Sequence, residues 1–238
     1  MALNTAKKWV QLLAANNLIV LLLILIVQEQ PAFSSTAQYI NPVNIAVLDD
    51  GATHEKEVIK ILSQLIRECT KCKIHAYPIY NNGGELSEKT FIESLNKALK
   101  ETDIIHLSWN IESTAKTKNI EEALNKAAKI KLVVAAAGAP SHGPDLQRPL
   151  SETVMGKVKD ALIVGELNSN SMKIHLNSYT GPEMFVALTT VKNKSGSSFS
   201  LPKLTATAAL KMAQQKLSLE DIKEALRKFY NNNRPYYL

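Results

Sequence analysis

Three residues have the types needed for proton-assisted attack on a carbonyl group: Asp49, His54 and, far along the chain, Ser198. Such chemistry needs a hydroxyl nucleophile, an imidazole within hydrogen-bond reach to take its proton, and a carboxylate to orient the imidazole. Each residue also has an ordinary reading. Asp49, with Asp50 and Gly51, ends an apolar run and suits a turn or a metal ligand as well as an orienting acid. His54 falls in the first turn of an expected helix, where a histidine is often just an exposed polar residue. Ser198, in Gly196-Ser197-Ser198, opens another helix and suits a cap. A serine there also gains chemically, because backbone N–H groups and the helix dipole favour the oxyanion that its attack generates.

The elements that must position these residues follow from apolar spacing. Asn44 to Leu48 is a short apolar strand stopped by Asp49-Asp50-Gly51. Apolar residues at Val58, Ile59, Ile61, Leu62, Leu65 and Ile66 recur with helical period over His54–Arg67. The alternation then repeats: strand Lys73–Ile79, helix Ser87–Glu101, strand Asp103–Leu107, helix Asn119–Ala128, strand Lys131–Ala136, and short strands at Ala161–Gly165 and Phe185–Leu188. Helices at Ser198–Lys216 and Ser218–Phe229 close the pattern. Strands alternating with helices predict an α/β fold: a doubly wound, mainly parallel sheet with helices on both faces, in three layers. Functional groups in such sheets gather at the carboxyl ends of strands, which directs attention to Asp49, Ser108, Gly138 and the loops near Leu188.

Two segments resemble one family closely. Ile45-Ala46-Val47-Leu48-Asp49-Asp50-Gly51 is similar to the subtilase strand that ends in Asp-Thr/Ser-Gly, and Gly196-Ser197-Ser198-Phe199-Ser200-Leu201-Pro202 to its Gly-Thr-Ser-x-Ala-x-Pro. Asp103–Ser108 resembles the strand that lines the family's substrate cleft, Val133–Gly138 the strand before its oxyanion asparagine, Ala161–Gly165 the next strand, and Leu217–Ile222 the start of the last helix. The resemblance covers roughly residues 43 to 229. It implies a subtilisin-like fold and a serine endopeptidase in which Ser198 is the nucleophile, His54 the base and Asp49 its orienter. Ser108, Trp109, Asn110 and Gly138 would then line the substrate cleft, with protein or peptide as substrate and no cofactor or metal.

The chain departs from that pattern in several places. Its histidine block is His54-Glu55-Lys56-Glu57-Val58 where the family has His-Gly-Thr-His-Val, and His54 follows Asp49 by only five residues. His75 and His106 fall on expected strands and His142 in a loop; these are the other central histidines. Ala139 stands at the position of the oxyanion asparagine, and a methyl group donates no hydrogen bond. Ser141 and Asn177 are the polar residues that could substitute through a different path. Trp109-Asn110 replaces Leu-Gly, so a tryptophan is expected to narrow the channel. These departures leave a second expectation: a catalytically weak or inactive subtilase kept as a secreted binding module. An unrelated Rossmann-like module is a third, but Gly-x-Gly-x-x-Gly does not follow the first strand.

Composition is that of an ordinary globular protein, with 45% hydrophobic and 21% charged residues. Lys7 and Lys8, the apolar run Leu18–Val27 and Ala32-Phe33-Ser34 read as a signal peptide over residues 1–34. An uncleaved N-terminal anchor is the alternative and the only expected link to a membrane. Either way the domain, residues 43–230 after a lead-in at 35–42 and before a tail at 231–238, is expected outside the cytoplasm. Without residues 1–34 the chain has 26 basic and 21 acidic residues. The lysines are scattered, which argues against nucleic-acid binding. Cys69 and Cys72, the only cysteines, suit a short local disulfide in an oxidising compartment. Asp145 and Glu183 are isolated carboxylates, far short of a calcium site.

Overall fold

The computed structural model describes residues 38–81, 84–139, 148–168, 170–171, 173–175, 178–191 and 194–232. Its frame is a six-stranded sheet, every pair parallel, in the order β2-β1-β3-β4-β5-β6. The strands are β1 (Val43–Asp49), β2 (Cys72–Pro78), β3 (Ile104–Leu107), β4 (Leu132–Ala136), β5 (Leu162–Leu167) and β6 (Met184–Thr189). The helices are α1 (Thr53–Leu65), α2 (Glu88–Glu101), α3 (Lys118–Ala128), α4 (Ser197–Gln214) and α5 (Leu219–Asn232). Each expected element is present within a few residues. The last helix runs to Asn232, two residues into the segment expected to be tail. The expected signal peptide, His142, Ser141, Asn177 and Asp145 lie outside the described residues. Among the described residues no helix is long and apolar enough to cross a membrane.

Side chains alternate across a strand, so each central strand feeds two cores. Ile45 and Val47 of β1, Ile104 of β3 and Val134 of β4 pack with Val58 and Leu62 of α1 and with Leu201, Leu204 and Ala208 of α4. Ala46 and Leu48, Ile105 and Leu107, and Val133 and Ala135 meet Phe91 and Leu95 of α2 and Ile120 and Leu124 of α3 on the opposite face. Three layers result, as the apolar runs of the strands require.

From β1 the chain crosses to β2 at one edge, and from β3 onward it proceeds toward the other edge. The reversal lies between β1 and β3, where the outgoing connections part and leave a crevice beyond the carboxyl ends. Asp49 closes β1 there, and Ser108 follows β3 directly, their strands aligned Leu48 to Leu107. Both belong to the face that α1 and α4 cover.

Candidate active site

The turn after β1 divides the work between two neighbouring aspartates. Gly51 takes φ 73°, a left-handed conformation that suits glycine, and lets the chain reverse into α1. Ala52 at the N-cap has no capping side chain, and Asp50 fills that role: its Oδ1 accepts from Ala52 N at 2.8 Å and Glu55 N at 3.3 Å. Asp50 is therefore the turn and cap residue, which leaves Asp49 for another partner. His54, in the first turn of α1, faces back across the turn, and its Nδ1 lies 3.0 Å from both Asp49 Oδ1 and Oδ2.

On the far side of the ring, His54 Nε2 lies 3.0 Å from Ser198 Oγ, across a separation of 144 residues. Ser198 sits in the first turn of α4. Gly196, at φ 112°, occupies backbone space that L side chains rarely adopt and swings the chain into that turn. Pro202 within the helix has no N–H to offer the Ser198 carbonyl, while Ser200 Oγ donates to Leu188 O at 2.8 Å and ties the first turn to β6. Phe199 packs against His54 with ring centroids 5.2 Å apart, and Lys194 Nζ stands 5.2 Å over the Phe199 ring.

The electrostatics match a base held by an acid. Burial is the largest influence on Asp49 and pushes its pKa up, but the His54 hydrogen bond and charge, the Asp50 N–H and the Ser108 hydroxyl outweigh it and hold Asp49 below its ordinary value. The hydrogen bond to Asp49 raises His54 above its ordinary value, with burial opposing and the charges of Asp49, Asp50 and Glu57 assisting. Asp49, Asp50 and His54 each offer a ligand atom within 4.8 Å of the others. Both His54 nitrogens are already engaged by Asp49 and Ser198, so an ion would have to displace those contacts.

The other expected site residues fare differently. Ala139 is exposed and directly follows Gly138, whose N–H donates to Ser197 Oγ at 2.9 Å, so the strand end beside Ser198 carries a methyl group. The Ser198 N–H, in the first turn of α4, has no acceptor within its helix. Ser108 is buried beside Asp49. Trp109 does not narrow a channel: it is 8% exposed and its ring meets Phe91 edge-on at 5.5 Å in the core between β3 and α2. Apolar burial of the large indole outweighs exposure even though Nε1 has no hydrogen-bond partner. Asn110 is a brace, its Nδ2 donating to Ala137 O at 2.7 Å and Thr153 Oγ1 at 2.9 Å, and its Oδ1 accepting from Met155 N at 3.1 Å. Gly138 passes so close that an added Cβ would lie 2.8 Å from Asn110 Cβ.

Sequence reasoning missed Glu166, Glu55 and the surroundings of His106. Glu166, buried at the carboxyl end of β5, accepts from Gly196 N and Ser195 Oγ and so holds the approach to Ser198. A carboxylate directly after the apolar run Ala161–Gly165 was the available signal. Glu55 is buried beside His54, with Oε2 lacking a hydrogen-bond partner. Of the other histidines, His75 Nε2 pairs with Asn44 Oδ1 at 3.3 Å at the edge of the sheet, and His106 is fully buried beneath the site. Cys69 and Cys72 form a disulfide.

Comparison with known proteins agrees with this architecture. A cold-adapted subtilisin-like serine proteinase superimposes with TM-score 0.66 at 14% identity, over 78% of this chain and 81% of its own. A lanthipeptide protease gives 0.63 at 18% identity, over 80% and 81%, and the prenylagaramide maturation protease PagA 0.57 at 17%, over 81% and 82%. At such identities these likenesses establish the fold. No curated protein matches the chain by sequence. The model of the subtilase family matches residues 51–234, a span that includes His54 and Ser198 and begins just after Asp49. With most of its length matched by that model and its three layers superimposing on subtilisin-like proteases, this chain belongs to the subtilase family.

Proposed function

We propose that the protein is a serine endopeptidase that hydrolyses peptide bonds through Ser198, His54 and Asp49. The observation that carries this reading is the double engagement of one imidazole, 3.0 Å from the Ser198 hydroxyl on one side and 3.0 Å from the Asp49 carboxylate on the other. Ser198 Oγ attacks the scissile carbonyl as His54 Nε2 takes its proton. His54 then gives that proton to the leaving amine, and water hydrolyses the acyl-enzyme by the same route in reverse. Asp49 keeps Nδ1 protonated, so that Nε2 presents its lone pair to the serine. The Ser198 N–H supplies one donor for the oxyanion.

A second reading, a weak or inactive subtilase that serves as a binding module, is favoured by one observation: Ala139 offers no side-chain donor at the strand end beside Ser198. A fluorophosphonate probe separates the two. The peptidase reading expects covalent labelling that disappears in Ser198→Ala. A folded protein that neither takes up the probe nor cleaves peptides is the binding module.

The proposed setting is outside the cytoplasm, either released or anchored by the N-terminal segment. The Cys69–Cys72 disulfide supports it, since such bonds persist in oxidising compartments.

A further inference from the structure

His106 has no part in the scheme above, yet it is a fully buried titratable residue linked to it. It sits on β3, on the face turned toward α4, with Nδ1 2.8 Å from Thr205 Oγ1 and Nε2 3.0 Å from Ser108 Oγ. Thr205 lies on α4 two turns beyond Ser198, on the same side of the helix. Ser108 in turn stands beside Asp49, one residue past the Leu48–Leu107 register, and its hydroxyl helps to lower the Asp49 pKa. These contacts, with Ser108 set beside Asp49, outline a ring that leaves α4 at Thr205, passes through His106, Ser108, Asp49 and His54, and returns to α4 at Ser198.

The protons in this ring can be counted. Burial drives the His106 pKa down to about 3, so the imidazole is neutral and carries one N–H and one lone pair. Asp49, the anion of the ring, only accepts, so the Ser108 proton goes to it. The Ser108 oxygen then accepts from His106 Nε2–H. Nδ1 is left as an acceptor, and the Thr205 hydroxyl donates to it at 2.8 Å in preference to Leu201 O at 3.3 Å. Every group is satisfied once. The opposite tautomer would turn the Ser108 proton toward Nε2 and away from the carboxylate.

We propose that His106 is a positioning residue: as the Nε2–H tautomer it directs the Ser108 proton at Asp49, and through Thr205 it fixes that direction to the helix that carries Ser198. The proposal rests on the reading of Asp49, His54 and Ser198 as the working triad. A carboxylate gripped from behind cannot rotate freely, and so both its oxygens stay equidistant from His54 Nδ1.

The test uses the full-length protein, histidine ¹⁵N spectra and the rate of fluorophosphonate labelling. His106 is expected to show the Nε2–H tautomer between about pH 5 and pH 9. His106→Leu, which keeps volume and removes both ring contacts, is expected to label about tenfold more slowly, and His106→Gln, which retains an N–H for Ser108, to stay within about threefold of wild type. Combined with Ser108→Ala, His106→Leu is expected to add no further loss, because both act through one hydroxyl. An Nδ1–H tautomer, or additive losses, overturns the proposal. Should His106→Leu fail to fold, the tautomer and the His106→Gln rate decide. Wild-type protein that resists the probe sinks the peptidase reading, whereas the tautomer in that same protein still reports whether the ring exists, so the two failures are distinguishable.

Discussion

Glu166 accepts a hydrogen bond from the Gly196 backbone N–H at 2.9 Å, and one from the Ser195 hydroxyl at 3.1 Å. A buried carboxylate on β5 thereby fixes the bend from which Ser198 projects, although it touches neither Ser198 nor His54. Glu166→Ala is expected to lower stability by about 1–3 kcal/mol, because the Gly196 N–H loses its acceptor. Labelling of Ser198 should slow with it, and Glu166→Gln, which keeps a carbonyl oxygen, should recover much of both. Thermal unfolding and probe kinetics check this; equal losses in the two variants would mean that charge, not acceptance, matters.

On the peptidase reading, the raised pKa of His54 sets the acid side of the activity. The base works only when neutral, so labelling of Ser198 is expected to rise with pH around a midpoint above the ordinary histidine value of 6.5. Asp50 contributes to that rise through its charge, while its capping needs only an oxygen. Asp50→Asn is therefore expected to move the midpoint downward and leave the fold intact, as a pH series of labelling rates would reveal. The same shift affects stability: a folded pKa above the unfolded one gives stability that is full below 6.5 and is lost as pH rises through the folded value.

Glu55 works against the fold at neutral pH. Burial first, then the charges of Asp49 and Asp50, push its carboxyl above the ordinary 4.5. A group with a raised folded pKa is best tolerated below its unfolded value and penalises the native state as pH climbs past the folded one. Glu55→Gln is expected to raise the melting temperature at pH 7, with the gain vanishing below about pH 4 as the wild-type carboxyl takes up its proton. A lower melting temperature at pH 7 would show that the ionised form is the stabilising one.

Ala139→Asn supplies a side-chain amide at the strand end beside Ser198. If one donor is what the site lacks, peptide turnover rises, by at most about 10²–10³-fold, the factor by which a subtilisin suffers when it loses its own asparagine. Turnover assays on peptide substrates decide it, and an unchanged rate would mean that the Ser198 N–H is not working alone.

Much of this was legible in the sequence for a definable reason. The strands are nearly continuous apolar runs because they are covered on both faces, and Asp49 and Ser198 lie at punctuated positions, a strand end and a Gly-Ser-Ser helix start. His54 was legible through the short turn that joins it to Asp49. The ties that hold the site were not, because they span the sheet: Glu166 to Gly196 over 30 residues, His106 to Thr205 over 99, and Asn110 to Thr153 over 43. No local pattern encodes such contacts. Trp109 was misjudged for the same reason, since the aromatic partner that draws it inward belongs to α2.

Asp49 and His54 are five residues apart, whereas Ser198 lies 144 residues beyond His54. Closing the first contact costs little loop entropy and needs only one strand, one turn and the start of one helix; the second waits until the sheet is built and α4 has docked. During synthesis from the N-terminus, Asp49 and His54 therefore meet early, and Ser198 arrives late. On the peptidase reading, the order of assembly itself guards a growing or half-folded chain against its own cutting chemistry.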